Sequence, residues 1–142
     1  MQPYEYSVSF RVFHPSVDPS EITQEFGIEP SRAWKMGDPR ATPTGTPLKG
    51  TYPETYWYTD LCSVVDAAEE DLESALVRFL HGLREHQQFL LAVRESGGRA
   101  ELYVGVHGPA SYGFEFVPSL LAELASIGVT LGIEVYPVSQ NQ

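Results

Sequence analysis

The chain has 142 residues, 42% of them hydrophobic and 20% charged, and a formal charge of −10 at pH 7. A chain of this size fits one domain around one core, and its hydrophobic content excludes global disorder. The acidic balance opposes phosphate backbones, which argues against DNA or RNA as partners and in favour of a basic one.

A single cysteine, Cys62, cannot form an internal disulfide and fits a reducing compartment. The amino end has no basic segment followed by an apolar run, and no apolar stretch nears the roughly 20 residues of a membrane span. The expectation is therefore a cytoplasmic protein with no membrane partner.

Tyr4, Tyr6, Val8, Phe10 and Val12 alternate with Glu5, Ser7, Ser9 and Arg11, a period of two that predicts a strand with one buried and one polar face. Asp18-Pro19-Ser20-Glu21 opens a short helix: Asp18 caps, Pro19 sits where no N–H is needed, and Glu21 closes a capping box. Ile22 and Phe26 face inward, and Gly27 can take the left-handed conformation that ends the helix. Residues 31–36 suit a brief strand. From Pro39 to Pro53 four prolines stand among Thr and Gly, which predicts a long loop without regular structure. Tyr56 to Leu61 is aromatic and β-branched enough for another strand.

Asp66 and Glu69 offer a second capping box ahead of Leu72, Leu76, Phe79, Leu80 and Leu83, whose spacing gives a helix with one apolar stripe that Gly82 weakens near its end. Phe89, Leu90 and Val93 continue as a second helical piece, stopped by Gly97-Gly98. Leu102, Val104 and Val106 alternate with Glu101, Tyr103, Gly105 and His107 as a strand, and Gly108-Pro109 then opens a turn-rich passage to Gly113. Pro118 starts a helix bearing Leu120, Leu121, Leu124 and Ile127, with Gly128 as its stop. Val129, Leu131, Ile133 and Val135 alternate with Thr130, Gly132, Glu134 and Tyr136 in a last strand, ahead of a polar tail expected to fray.

Alternating strands imply a mostly antiparallel sheet, since a sheet covered on both faces would read as continuous apolar runs. The fold class is α+β, with helices on one face, related to a ferredoxin-like layered sandwich. The residues Asp18-Pro19-Ser20-Glu21-Ile22-Thr23, Phe26-Gly27-Ile28-Glu29-Pro30-Ser31-Arg32-Ala33-Trp34 and Lys35-Met36-Gly37-Asp38, with Trp57 and Ile133-Glu134-Val135-Tyr136, resemble the bacterial family called domain of unknown function 4279. That resemblance implies a compact bacterial α+β domain and supplies no catalytic residues.

Three candidate sites follow. Arg32, Trp34, Lys35, Asp38 and Arg40, with Trp57 and Tyr58, form an aromatic-cationic group suited to an anionic or planar ligand or to a protein partner; the structural alternative makes the tryptophans core residues. The polar sheet face should collect Glu5, Ser7, Ser9, Arg11, Tyr103, Gly105, Gly132, Glu134 and Tyr136, with His107 at its end, and its glycines permit close approach. A parallel pairing of the first strand with residues 100–107 would bring His14 and His107 together near Asp18 for acid–base or weak metal chemistry. His81 and His86 are five apart, which does not fit a helical zinc pair and suggests surface groups, while Cys62 reads as a small buried hydrophobe.

No phosphate loop, paired-cysteine metal signature or nucleophile elbow is present in the sequence. The reading is a non-enzymatic domain with no cofactor, no metal and no catalytic residue, recognising a protein partner or a second copy of itself. The alternative is a small-molecule binder or enzyme with a pocket between residues 39–53 and the sheet, lined by Trp34, Trp57, His107 and Tyr112.

Overall fold

The computed structural model describes residues 4–108 and 113–137. Its elements are β1 (Glu5–His14), α1 (Pro19–Phe26), β2 (Arg32–Trp34), β3 (Pro39–Ala41), β4 (Pro47–Thr51), β5 (Thr55–Asp66), α2 (Leu72–Leu83), a 3-10 turn (Arg84–His86), α3 (Gln87–Glu95), β6 (Arg99–Gly108), α4 (Pro118–Ile127) and β7 (Val129–Pro137). The fold is α+β. The main sheet has five strands in the order β2-β5-β1-β6-β7, antiparallel throughout except for β6 beside β7.

The alternation of β1 fixes which side is covered. Tyr6, Val8, Phe10 and Val12 are buried against Trp57 of β5, Leu102 and Val104 of β6, and the stripes Leu72, Leu76, Leu80, Leu90, Leu124 and Ile127 of the helices. Tyr4 and Tyr6 can enter this core because their hydroxyls meet the start of α2: Tyr6 donates to the Glu70 carbonyl at 2.7 Å, and Tyr4 accepts from the Leu72 N–H at 3.3 Å. Arg11, Tyr103 and Tyr136 fall on the opposite face, away from Leu102 and Ile133. No helix of the described residues is long and apolar enough to cross a membrane.

The first helix begins and ends as its residues dictate: Asp18 Oδ1 accepts the Ser20 N–H at 2.9 Å, and Gly27 closes it at φ 66°. The second does not. Asp66 ends β5 and holds a tight turn, accepting from the Ala68 N–H at 2.8 Å, so α2 starts later, with Asp71 at its cap. The prediction of an irregular loop over residues 39–53 also fails, because β3 and β4 pair there as an exposed hairpin. Its prolines are compatible with pairing: Pro39 and Pro47 each open a strand of an isolated two-stranded ribbon, where a missing donor costs little.

β1 and β6 are neighbours as foreseen, but they run antiparallel, with Glu5 opposite His107 and Phe13 opposite Arg99. The crossover through α2 and α3 makes β6 parallel to β5 and hence opposed to β1. His14 and His107 therefore lie roughly 30 Å apart, at nine residues of about 3.4 Å each. The paired-histidine site is excluded. His14 is structural: its Nδ1 accepts the N–H groups of Ser16 and Val17 at 3.0 and 2.9 Å, and Nε2 meets Ser96 Oγ at 2.8 Å. His86 is not the surface group its spacing suggested, since its ring packs tilted against Phe26 with centres 4.6 Å apart and meets Glu25 at 2.7 Å.

Two glycines separate packing from propensity. A Cβ on Gly98 would lie 2.5 Å from the Phe13 carbonyl oxygen, whereas one on Gly82, inside α2, would meet nothing within 4 Å. Gly98→Ala is expected to lose about 1–3 kcal/mol, and Gly82→Ala to gain about 0.5–1 kcal/mol. Thermal melts followed by circular dichroism should show the two midpoints moving in opposite directions.

Candidate functional site

The open face of the sheet forms a groove of about 610 Å³. Its floor is laid by strand register. One row across the sheet reads Arg32, Tyr58, Arg11, Glu101, Thr130, and the next reads Asp60, Ser9, Tyr103, Gly132. Side chains from all five strands line it, including Ser7, Arg11, Arg32, Trp34, Tyr58, Tyr103, His107 and Tyr136. Seven of the eleven candidate binding residues thus come together on one surface: Arg11, Arg32, Trp34, Tyr58, Tyr103, His107 and Tyr136.

The other four do not. Trp57 is fully buried on the helix side, where its indole N–H donates to Thr23 Oγ1 at 3.0 Å, because successive residues of β5 point to opposite faces. Lys35 lies in the open beside Asp18 at 3.7 Å. Asp38 closes a turn by accepting the Lys35 N–H at 3.0 Å, and Arg40 is on the hairpin, donating to the Lys49 carbonyl at 3.1 Å. Tyr112 lies outside the described residues, as do the Pro109 turn and the tail.

At the β2 end an aromatic knot ties the hairpin to the sheet. Trp34 stacks on Tyr52 with ring centres 4.1 Å apart, and its indole N–H donates to the Glu54 carbonyl at 3.1 Å. Tyr52 Oη donates to the Ala41 carbonyl at 2.8 Å and accepts the Ala41 N–H at 3.1 Å, while Arg32 donates to the same carbonyl at 2.7 Å. Beyond the knot lies a slot of about 370 Å³ between Phe13, Trp34, Tyr52, Pro53, Glu54 and Tyr56, its surface almost entirely apolar, bordered by Arg11. Burial raises the Tyr56 phenol above its ordinary value.

At the β7 end the strand glycines make room for side chains. The Tyr136 ring lies over Gly105 and stacks on His107 with centres 5.0 Å apart, and Glu101 lies over Gly132. Tyr103 donates to Glu134, and its oxygen is 2.8 Å from that of Tyr136. Burial first, and these hydrogen bonds second, push the Tyr103 phenol well above the ordinary tyrosine value. Hydrogen bonding from Tyr103 first, and from Tyr136 second, holds the Glu134 carboxyl below the usual carboxylate range.

Between the two ends stands Arg11. Its guanidinium stacks on Tyr103, 3.6 Å from the ring centre. Glu101, directly opposite on β6, turns over Gly132 instead, and among the described residues no carboxylate pairs with Arg11. The Arg11 Nε is buried without a hydrogen-bond partner. The groove can therefore donate to an anion at its centre, offer an apolar slot on one side and present phenols on the other.

Cys62 is half-buried against the core, and burial raises its thiol above the ordinary value, which suits packing more than reactivity. A further cavity of about 590 Å³ near Tyr4 and Phe114 is walled by Asp71, Glu73 and Glu115, with no basic side chain among the described residues. Residues missed by the sequence reading are Tyr56, Tyr52 and Phe13; the first was recoverable, since it shares the parity of Tyr58.

Because the folded Tyr103 phenol ionises above the ordinary value of 10.0, its contribution to stability is complete below that pH and is lost as pH rises beyond it. Tyr103→Phe should remove one late-ionising phenol from an ultraviolet titration and flatten the alkaline decline in stability. For Glu134 the sign reverses: its contribution is present above the ordinary carboxylate value of 4.5 and is lost as pH falls through its lower folded value. Glu134→Gln should flatten the acid limb measured by chemical denaturation.

A family model described as Domain of unknown function (DUF4279) matches residues 4–138. No curated protein matches the chain, and no solved structure matches it either. The family match spans nearly the whole of the fold just described, and the chain belongs to the DUF4279 family.

Proposed function

We propose that the chain is a non-enzymatic binding domain that recognises a protein partner through the open face of its sheet. The observation that carries this reading is the composition of the groove: Tyr56, Tyr58, Tyr103 and Tyr136 with Ser7, Ser9 and Ser31, interrupted by Arg11, Arg32 and Trp34. Tyrosine and serine supply contact area and adaptable hydrogen bonds at low entropic cost, and Arg and Trp are the residues that concentrate binding energy at protein interfaces. The titratable groups of the groove hold one another in place, as Tyr103 does with Glu134 and His107 with Tyr136. That arrangement presents a surface more than it prepares a reaction.

The charge of −10 would draw in a partner of basic overall balance and opposes a second copy of the chain. A bacterial cytoplasmic setting is part of the same proposal, and the single half-buried thiol supports a reducing compartment. A small-molecule reading draws support from the apolar slot beside Arg11, whose 370 Å³ falls within the usual range for ligand sites.

Capture from a native lysate tests the reading by comparison of faces. Tyr58→Glu alters the groove, whereas Val77→Glu alters an exposed position of α2 on the helix side. A specific partner should be lost at least tenfold with the first and retained with the second. Equal retention by both would overturn the open face as the contact.

A further inference from the structure

We infer that the groove takes an extended peptide segment of the partner in which a carboxylate sits beside an aromatic ring, with Arg11 receiving the carboxylate and the Phe13, Trp34, Tyr52 and Tyr56 slot receiving the ring. This rests on the partner-binding reading and names the chemistry of the segment that reading leaves open. Three observations converge on it.

The first is the state of Arg11. An arginine in the middle of a sheet normally meets the carboxylate across from it, yet Glu101 lies over Gly132 and leaves the guanidinium unpaired. Nε is buried without a partner, and an acceptor arriving from the groove would meet the outer N–H groups of the guanidinium, already oriented by the Tyr103 ring. The second is charge. The groove lining carries Arg11 and Arg32 together with Asp60, and two further carboxylates that reach the same face are turned elsewhere, Glu134 to Tyr103 and Glu101 over Gly132; neither arginine has an ion pair among the described residues. The third is shape. The lining comes from five adjacent strands, whose four spacings of about 4.8 Å span roughly 19 Å, or about six extended residues. A lone small anion would leave most of that length unfilled, while the slot next to Arg11 is apolar and has room for an aromatic ring.

The chain has two tryptophans, which makes the test direct. In ¹⁵N-labelled protein the Trp34 indole signal reports the slot, and the Trp57 signal, from the core, reports the fold. The probe is the capped hexapeptide acetyl-Gly-Ser-Asp-Phe-Ser-Gly-amide, compared with versions carrying Lys for Asp or Ala for Phe, and with phenylacetate alone. The parent peptide should shift Trp34 and leave Trp57 in place, each altered peptide should bind at least tenfold more weakly, and Arg11→Gln should abolish the shift with an unchanged Trp57 signal. The peptide series poses the same question without altering the protein, so a poorly folding variant does not blunt it. Equal binding of the Asp and Lys peptides, or no movement of Trp34 with any of them, overturns the inference. Phenylacetate binding as tightly as the parent peptide overturns the peptide as occupant in favour of a free carboxylate. None of these outcomes touches the comparison of Tyr58→Glu with Val77→Glu, on which partner binding stands or falls separately.

Discussion

All the helices pack on one side of a twisted five-stranded sheet, and that one-sided burial decides the chemistry of the other side. β1 lies at the centre, hydrogen-bonded to β5 and β6 along both edges, so its residues have no freedom to exchange faces. Slipping the register by one residue would drive Arg11 and Ser9 into the space held by Phe10 and Val12, an exchange that burying an unpaired charge forbids. The burial of Tyr6, Val8, Phe10 and Val12 therefore holds Arg11 on the open face.

The hairpin answers to a different interaction. Two short strands made largely of exposed residues would be marginal by themselves. The stacked Trp34 and Tyr52 rings and the three hydrogen bonds converging on Ala41 tie the ribbon to the sheet edge. Arg32 and Trp34 thus have a structural duty as well as a place in the groove. Tyr52 carries both polar groups of Ala41, so the wall of the slot and the base of the hairpin are one object, and a ligand pressing on the slot would press on the hairpin too.

The fold was legible in the sequence where periodicity alone decides it. The faces of β1 and β6, the cap at Asp18 and the stop at Gly27 all follow from local physics, and the gathering of Arg11, Tyr103, His107 and Tyr136 comes with them, whereas the apolar row of β7 is buried only at its start, at Val129, and leaves Ile133 and Val135 exposed. What was not legible depends on contacts distant in sequence. The direction of β6 against β1 is set by a crossover whose path no local pattern records, and this removed the His14 and His107 pairing. The hairpin was hidden because prolines read as breakers, although a two-stranded ribbon with an unpaired outer edge tolerates them. The misplacement of Trp57 has another origin: Tyr56, Trp57 and Tyr58 alternate by the same rule as β1, and grouping Trp57 with Tyr58 set that rule aside.

The energetics of Arg11 show why its condition matters. Stacking on Tyr103 contributes about 0.5–2 kcal/mol. A buried N–H left without an acceptor costs about 1–3 kcal/mol. These ranges nearly cancel, so the free protein gains little from holding Arg11 where it is, and a hydrophobic residue of similar volume would serve the sheet as well or better. A salt bridge with Glu101 was available at the opposing position of β6, yet Gly132 opens a place for that carboxylate to lie elsewhere. The balance changes only when an acceptor enters from outside: the outer N–H groups of the guanidinium are then paired and the stacking is kept, so that hydrogen-bond gain appears in binding and none of it in folding.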